Sequence, residues 1–432
     1  MEDNYKERII NDALRYRGYY PLRAMQLWLV DTHFNKAKST MMNIGAFLKL
    51  SPQIDLSRLA QAVNDTLNNC DIFRCRLFFH PATNDICQRF DGEIIPVQIE
   101  KISDEEFERR KKELLRPYPL INKPLYRIYL FETPTAKYWY ADFYHAIMDG
   151  TSAGILFFRE VDMRYKGKKI SRTPLNYADY ILEELKVSPE ELAEGNKFWR
   201  EMLAGFDETK HLPPADIEAE DEHKQNYILT DLKNITQDYF SKSKRKEHIF
   251  FLAAAMLAIA KSAGAKSSIL DWVHNGRYTM QESRLMGAML EQFPISWDFE
   301  KDITVAEFLD GLAEKINVSF KYRRSLGTAY SSGLQENGAT FIFQKKILGA
   351  LNSVMLGGLP AEIVEVPVNQ WSIAENTLDI EVNLNDSGGY IVEFAHDSNI
   401  YSEAAIKNFA DTFYKIVLQL QDENILISKI LG

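Results

Sequence analysis

Apolar residues recur along the chain at helical spacing in some stretches and at strand spacing in others, and the two kinds alternate. Asp55 to Asn68 places Leu56, Leu59, Ala60, Val63 and Leu67 three or four positions apart, the face of an amphipathic helix. Ser103 with Glu106 makes a capping box that opens a helix to about Arg116, and Ser188-Pro189-Glu190-Glu191 opens another with proline in its first turn. Thr304 with Glu307 repeats the device, and Ser402 caps a final helix reaching about Gln421. The longest apolar run, Ile249 to Ala260, is too short to span a bilayer and stops at Lys261 and Gly264, so it predicts a buried helix.

Strand signals fall at Gly45 to Leu50, Leu125 to Glu132, Lys137 to Tyr144, Ser268 to Val273, Thr340 to Phe343, Thr377 to Leu384 and Tyr390 to His396. Asn385-Asp386-Ser387-Gly388-Gly389 between the last two reads as a hairpin turn. Interleaved helices and strands predict an α/β fold. No repeat or low-complexity block interrupts the pattern. The stretch from Tyr165 to Thr173, with Gly167 among Lys166, Lys168, Lys169 and Arg172, is the natural boundary, giving an N-terminal lobe over 1–172 and a C-terminal lobe over 173–432. A second flexible segment is expected from Leu212 to His223, where Pro213-Pro214 precede acidic residues.

The 432 residues suffice for two lobes of roughly 150 to 250 residues each. With 46% hydrophobic and 26% charged residues the composition is that of a folded globular protein. A formal charge of -10 disfavours nucleic acid and anionic membrane as general partners. Cys70, Cys75 and Cys87 are the only cysteines and carry no metal-type spacing, which fits a reducing cytoplasm. The charged N-terminus lacks the apolar core of a signal peptide. The histidines are scattered, so no metal is expected, and no glycine-rich loop predicts a nucleotide cofactor.

The chemistry concentrates after the aromatic strand KYWYADFY, where His145 is followed by Asp149 and Gly150. A histidine leaving a strand titrates near neutrality and can take a proton from an attacking amine or alcohol, while the carboxylate fixes its geometry. That arrangement points to acyl transfer, although four residues between a His and an Asp also arise by chance at turns. Gly150-Thr151-Ser152-Ala153-Gly154 in addition matches the GxSxG elbow of serine hydrolases, for which Asp379 or Asp386 with His396 would have to complete a triad.

Several stretches together decide between these readings. His145-x-x-x-Asp149-Gly150-x-Ser152 resembles the HHxxxDGxS signature of the condensation domains of nonribosomal peptide synthetases, in the chloramphenicol-acetyltransferase-like superfamily. Tyr20 to Gln26 resembles that family's YPLSPMQ-like opening, Cys70 to Arg74 the end of RHExLR, and Lys123 to Arg127 the GPLxR strand entry. Asn176 to Tyr180 resembles YxDF, Asn275-Gly276-Arg277 resembles NGR, and Met286 to Pro294 the GxFVNTLP strand. Three positions depart: Tyr144 replaces the first His of the doublet, Asn69 the first Arg of RHExLR, and Glu291 the usual Asn.

The resemblance implies two acetyltransferase-like lobes in a V-shaped pseudo-dimer around a central tunnel. It implies that His145 acts on the reacting amine, with Gly150 holding the oxyanion, Asp149 pairing Arg277, and Arg74 a second candidate partner. Tyr144, Ser152 and Trp371 are candidate substrate contacts. Donors would arrive as thioesters on phosphopantetheine of an acyl or peptidyl carrier protein, or on coenzyme A, with no tightly bound cofactor. Carrier proteins and adenylation enzymes would be the partners of a monomer, and Lys242 to Lys246 is a solvated turn or a patch that steers an acidic carrier. Two alternatives stay open: a freestanding O-acyltransferase, and a diverged recruitment module without catalysis.

Overall fold

Two six-stranded sheets collect most of the predicted strands. The computed structural model describes residues 18–35, 40–170, 175–204, 212–217, 225–233, 235–325, 338–344, 353–364, 377–384 and 388–432. The chain divides into a first unit of residues 1–186, 275–290 and 347–371 and a second of 187–274, 291–346 and 372–432. Instead of changing lobe once after residue 172, the chain keeps 173–186 with the first unit and returns to that unit twice more.

In the first unit the sheet runs Ser353–Leu356, Leu359–Ile363, Asn43–Leu50, Lys137–Tyr144, Tyr126–Glu132 and Ile99–Lys101 from edge to edge. Lys137–Tyr144 lies between two antiparallel neighbours, so its residues from Trp139 onward are buried on both faces. That explains why KYWYADFY reads as a nearly continuous apolar run without alternation. Asp142 is the exception within it. It accepts from Asn43 Nδ2 at 2.9 Å and the Tyr118 hydroxyl at 3.0 Å and lies 3.3 Å from Arg127 Nη1. Burial nevertheless pushes its carboxyl up to about 7.

The second unit's sheet runs Glu291–Asp298, Ser267–His274, Ala339–Gln344, Leu378–Leu384, Tyr390–Asp397 and Gln225–Lys233. The apolar run becomes the helix Glu247–Ala263, with every residue from Ile249 to Ala260 buried. Gly264 ends it with φ 62°, the left-handed conformation that glycine adopts without a Cβ penalty. The caps at Ser103, Ser188 and Ser402 form as the sequence predicts, each accepting from the first turn, and Thr304 with Glu307 makes both halves of a capping box; Asp55 caps the helix Leu56–Asn69 as well. The hairpin pairs Leu384 with Tyr390, while Asn385 to Ser387 lie outside the described residues, as does 218–223 of the expected flexible segment.

Several elements escape the sequence pattern, among them one helix and one strand of note. Helix Ala24–Asn35 buries Met25, Leu29 and Val30 together with polar Gln26 and His33, which blur the apolar stripe. Strand Gln225–Lys233 is a sheet edge whose Leu229 is exposed. Among the described residues, no helix is long and apolar enough to cross a membrane, and no cluster of His, Cys, Asp and Glu is suited to a metal ion.

Candidate active site

The central strand Lys137–Tyr144 delivers His145 directly. Its N–H continues the ladder by donating to Met42 O at 2.8 Å, after which the chain turns as Ile147 N donates to Tyr144 O at 2.9 Å. Ala146, Ile147 and Met148 are fully buried and anchor this turn in the core. Helix follows at once: Ala153 N bonds Asp149 O at 2.8 Å, and Ser152–Leu156 forms a π-helical turn before the helix Phe157–Tyr165. Such turns recur at functional sites because they displace side chains from the α-helical register. The His145 ring is half-buried, and its Nδ1 is buried without a hydrogen-bond partner. Burial lowers its pKa, opposed by the charge of Asp149. The resting imidazole is therefore neutral at neutral pH.

Asp149 sits in a hydrogen-bond cage. Its Oδ2 accepts from Arg277 Nη1 at 2.8 Å and Met289 N at 2.9 Å, and its Oδ1 from Ser152 N at 2.7 Å and Arg277 Nη2 at 3.1 Å. Both partners of this two-pronged pair are almost completely buried, at 2% and 3% side-chain exposure. Burial pushes the acid up, but the guanidinium and the two N–H groups outweigh it and hold the carboxyl below its ordinary value. Arg277 also donates to the carbonyls of Asn275 and Leu285 at 2.8 and 3.1 Å. Gly276 between them has φ +64°, and a Cβ there would lie 1.6 Å from Met289 O, so the NGR turn requires glycine.

Ser152 closes the cage. Its hydroxyl donates to Gly287 O at 2.8 Å and accepts from Gly287 N at 3.0 Å and Arg277 Nη2 at 2.6 Å. A fully buried hydroxyl with its donor and both acceptor sites used is no nucleophile, which removes the serine-hydrolase reading. It also leaves Ser152 nothing to offer a substrate. Tyr144 is likewise a core residue: it is fully buried, its hydroxyl donates to Leu29 O at 3.1 Å, and His33 meets its ring edge-on. Gly150 sits half-buried at the start of the helix.

Arg74 is not a partner of Asp149; its nearest acceptors are Gly92 O at 3.4 Å and Asn68 Oδ1 at 3.5 Å. Asn69 ends the helix Leu56–Asn69 and donates to Asp65 O, while Glu291 opens the strand Glu291–Asp298 of the second unit. Trp371 lies outside the described residues.

The other sequence motifs brace this loop. Gln26 donates through Nε2 to Ala146 O at 2.7 Å, immediately after His145, and exchanges amide bonds of 3.1 and 3.0 Å with Gln88. Both glutamines are fully buried. The Tyr177 hydroxyl and Arg23 Nη1 each donate to Ala288 O at 2.8 Å. Asp71 caps the helix Tyr177–Glu184, accepting from Tyr177 N at 3.0 Å and Ala178 N at 2.9 Å. Sequence reasoning passed over Gln26, Gln88 and Asp71; the polar residues inside otherwise apolar motifs were the available signal.

Comparison with known proteins accords with this geometry. A family model described as the condensation domain matches residues 16–424. Surfactin synthase subunit 2 of Bacillus subtilis (strain 168) is 23% identical over 313 residues, 69% of this chain and 8% of that protein. Tyrocidine synthase 3 of Brevibacillus parabrevis is 18% identical over 416 residues, 93% of this chain and 6% of that protein. The chain thus spans less than a tenth of the length of either relative. Among solved structures, the condensation domain of the monacolin K polyketide synthase MokA superposes with a TM-score of 0.75 at 16% identity, covering 95% of this chain and 99% of that one. A match that takes in the His145 loop, its Arg277 clasp and the bracing motifs alike places the chain in the condensation-domain family.

Proposed function

We propose that the chain joins an acyl or aminoacyl thioester to an amine, with His145 managing the proton. The observation that carries this is the neutral, half-buried imidazole at the end of the central strand, close in sequence to Asp149 and Ser152, whose side-chain oxygens are already bonded. The amine nitrogen attacks the thioester carbonyl, a C–N bond forms, and the C–S bond then breaks. His145 accepts the proton that the amine loses and returns it to the departing thiolate. The N–H of Gly150 is the candidate donor to the oxyanion formed between these steps.

Asp149 takes no part in proton transfer in this scheme, because Arg277, Ser152 and Met289 occupy both of its oxygens. It is a positioning residue. The thioester would be presented on the phosphopantetheine arm of a carrier protein loaded by an adenylation enzyme. Tyr144 bears on whether the chemistry persists: it stands where the family has its first His, yet its side chain lies wholly in the core. Its role is therefore one of packing, and the catalytic reading rests on His145 alone.

The test offers acyl carrier protein loaded with a panel of acyl groups to panels of amines and alcohols, and identifies products by mass spectrometry. Amide products that disappear in His145→Ala support the proposal. Ester products alone would move the acceptor to an alcohol, and carrier binding without any product would leave recruitment as the function.

A further inference from the structure

A cavity of ≈ 320 Å³ opens in the first unit, and His145 is not among its lining residues. That volume lies at the lower end of the range of about 300–1,000 Å³ usual for small-molecule sites. Its wall is largely apolar, with Leu156, Met163, Leu175 and Met286 contributing. Three cations, Arg159, Lys169 and Arg284, also line it. Two carboxylates accompany them, and both are engaged: Asp71 caps the helix Tyr177–Glu184, and Glu160 accepts from Arg164 Nη2 at 2.8 Å.

None of the side chains of Arg159, Lys169 and Arg284 has a hydrogen-bond or ion-pair partner among the described residues. In a chain of formal charge -10, three unneutralised cations around one apolar hollow form a local positive site. The guanidinium fork pairs two oxygens of a carboxylate or phosphate at once, and an apolar wall favours a hydrocarbon stem over a bare ion. We propose that this pocket binds a small organic anion with an apolar stem, its head held by Arg159, Lys169 and Arg284.

A carboxylate amphiphile and a phosphorylated pantetheine share that chemistry, and calorimetric titration separates them. Octanoate, 4′-phosphopantetheine, inorganic phosphate and 1-octanol are each titrated into the whole chain. Saturable one-to-one binding of octanoate or of phosphopantetheine is expected, and whichever binds identifies the head group. Affinity should fall roughly tenfold in Arg159→Ala and again in Arg284→Ala, as for loss of a charge-assisted bond, and should be unchanged in the control Arg109→Ala. His145→Ala should bind as the wild type does, which keeps this outcome separate from that of the proposed reaction. The proposal is overturned if neither probe saturates, if 1-octanol or inorganic phosphate binds as tightly, or if binding ignores the two arginines. It is equally overturned if His145→Ala abolishes binding, which would locate the probe at the reacting loop.

Discussion

In the proposed reaction His145 carries the proton, whereas Asp149 and Arg277 hold the loop, and substitution distinguishes the two roles. His145→Ala should lower single-turnover transfer by about 10²–10⁴-fold while leaving the circular dichroism spectrum unchanged, because positioned acid–base catalysis contributes on that order. The half-burial that lowers its pKa sets the pH dependence. The acid limb of kcat/KM should fall with a midpoint below the ordinary 6.5, and a midpoint above it would contradict the neutral resting imidazole. Asp149→Ala leaves a buried guanidinium unpaired, as Arg277→Ala leaves a buried carboxylate, and each should cost about 3–5 kcal/mol of stability. In a double-mutant cycle of thermal melts the losses should be strongly non-additive, and simple additivity would refute the coupling. The sign with pH follows from the depressed Asp149 pKa. Its contribution is complete above the unfolded carboxylate value and is lost as pH falls through the folded one.

Between elements, the loop is held by polar contacts that reach from distant parts of the sequence. Helix Ala24–Asn35 touches it through Gln26, 120 residues before Ala146 in the chain. Gln26→Leu would leave the Ala146 carbonyl without this donor and remove both bonds to the Gln88 amide without removing volume, and should destabilise by about 1–3 kcal/mol. Gln26→Glu keeps the shape but loses the donor to Ala146, so it should lower kcat as well as the melting temperature. A variant with unchanged kcat would make the brace structural only. Gly287 shows how closely the first return of the chain packs: a Cβ there would lie 2.2 Å from the Tyr177 ring. The helical caps were legible from the sequence because each is a local side-chain to backbone bond three residues long. The helix Ala24–Asn35 was not, since its buried face includes Gln26 and His33, whose partners lie far away in sequence.

For the chain as a unit, charge bears on how the proposed carrier-borne donor would be recognised. With a net charge of -10, an acidic carrier protein has to meet a local basic or apolar patch, and that attraction weakens as salt screens it. Lys242 to Lys246 is a weaker candidate than its composition implies, because Arg245 is already paired with Glu423 and Asp310. Transfer from an acyl carrier protein should exceed transfer from the same acyl group on coenzyme A, with the advantage shrinking at high ionic strength. Equal rates from both donors at every salt concentration would exclude carrier recognition.

Local chemistry was enough to read the alternation of helices and strands, the caps, the buried helix Glu247–Ala263 and the His145-x-x-x-Asp149-Gly150 motif, because each depends on residues within a few positions of one another. The resemblance added Arg277 as the partner of Asp149, and the ion pair is present. Three features required the folded chain. The lobes are discontinuous, since residues 275–290 return to the first unit with Arg277 and Gly287. Ser152 and Tyr144 spend their hydroxyls on Gly287 and Leu29, partners 135 and 115 residues away, so motif position alone made them look available. Gln26 braces the reacting loop across a comparable distance. A side chain's type and spacing fix what chemistry it can perform, but whether its polar atoms remain free for that chemistry depends on long-range contacts formed only when the core closes.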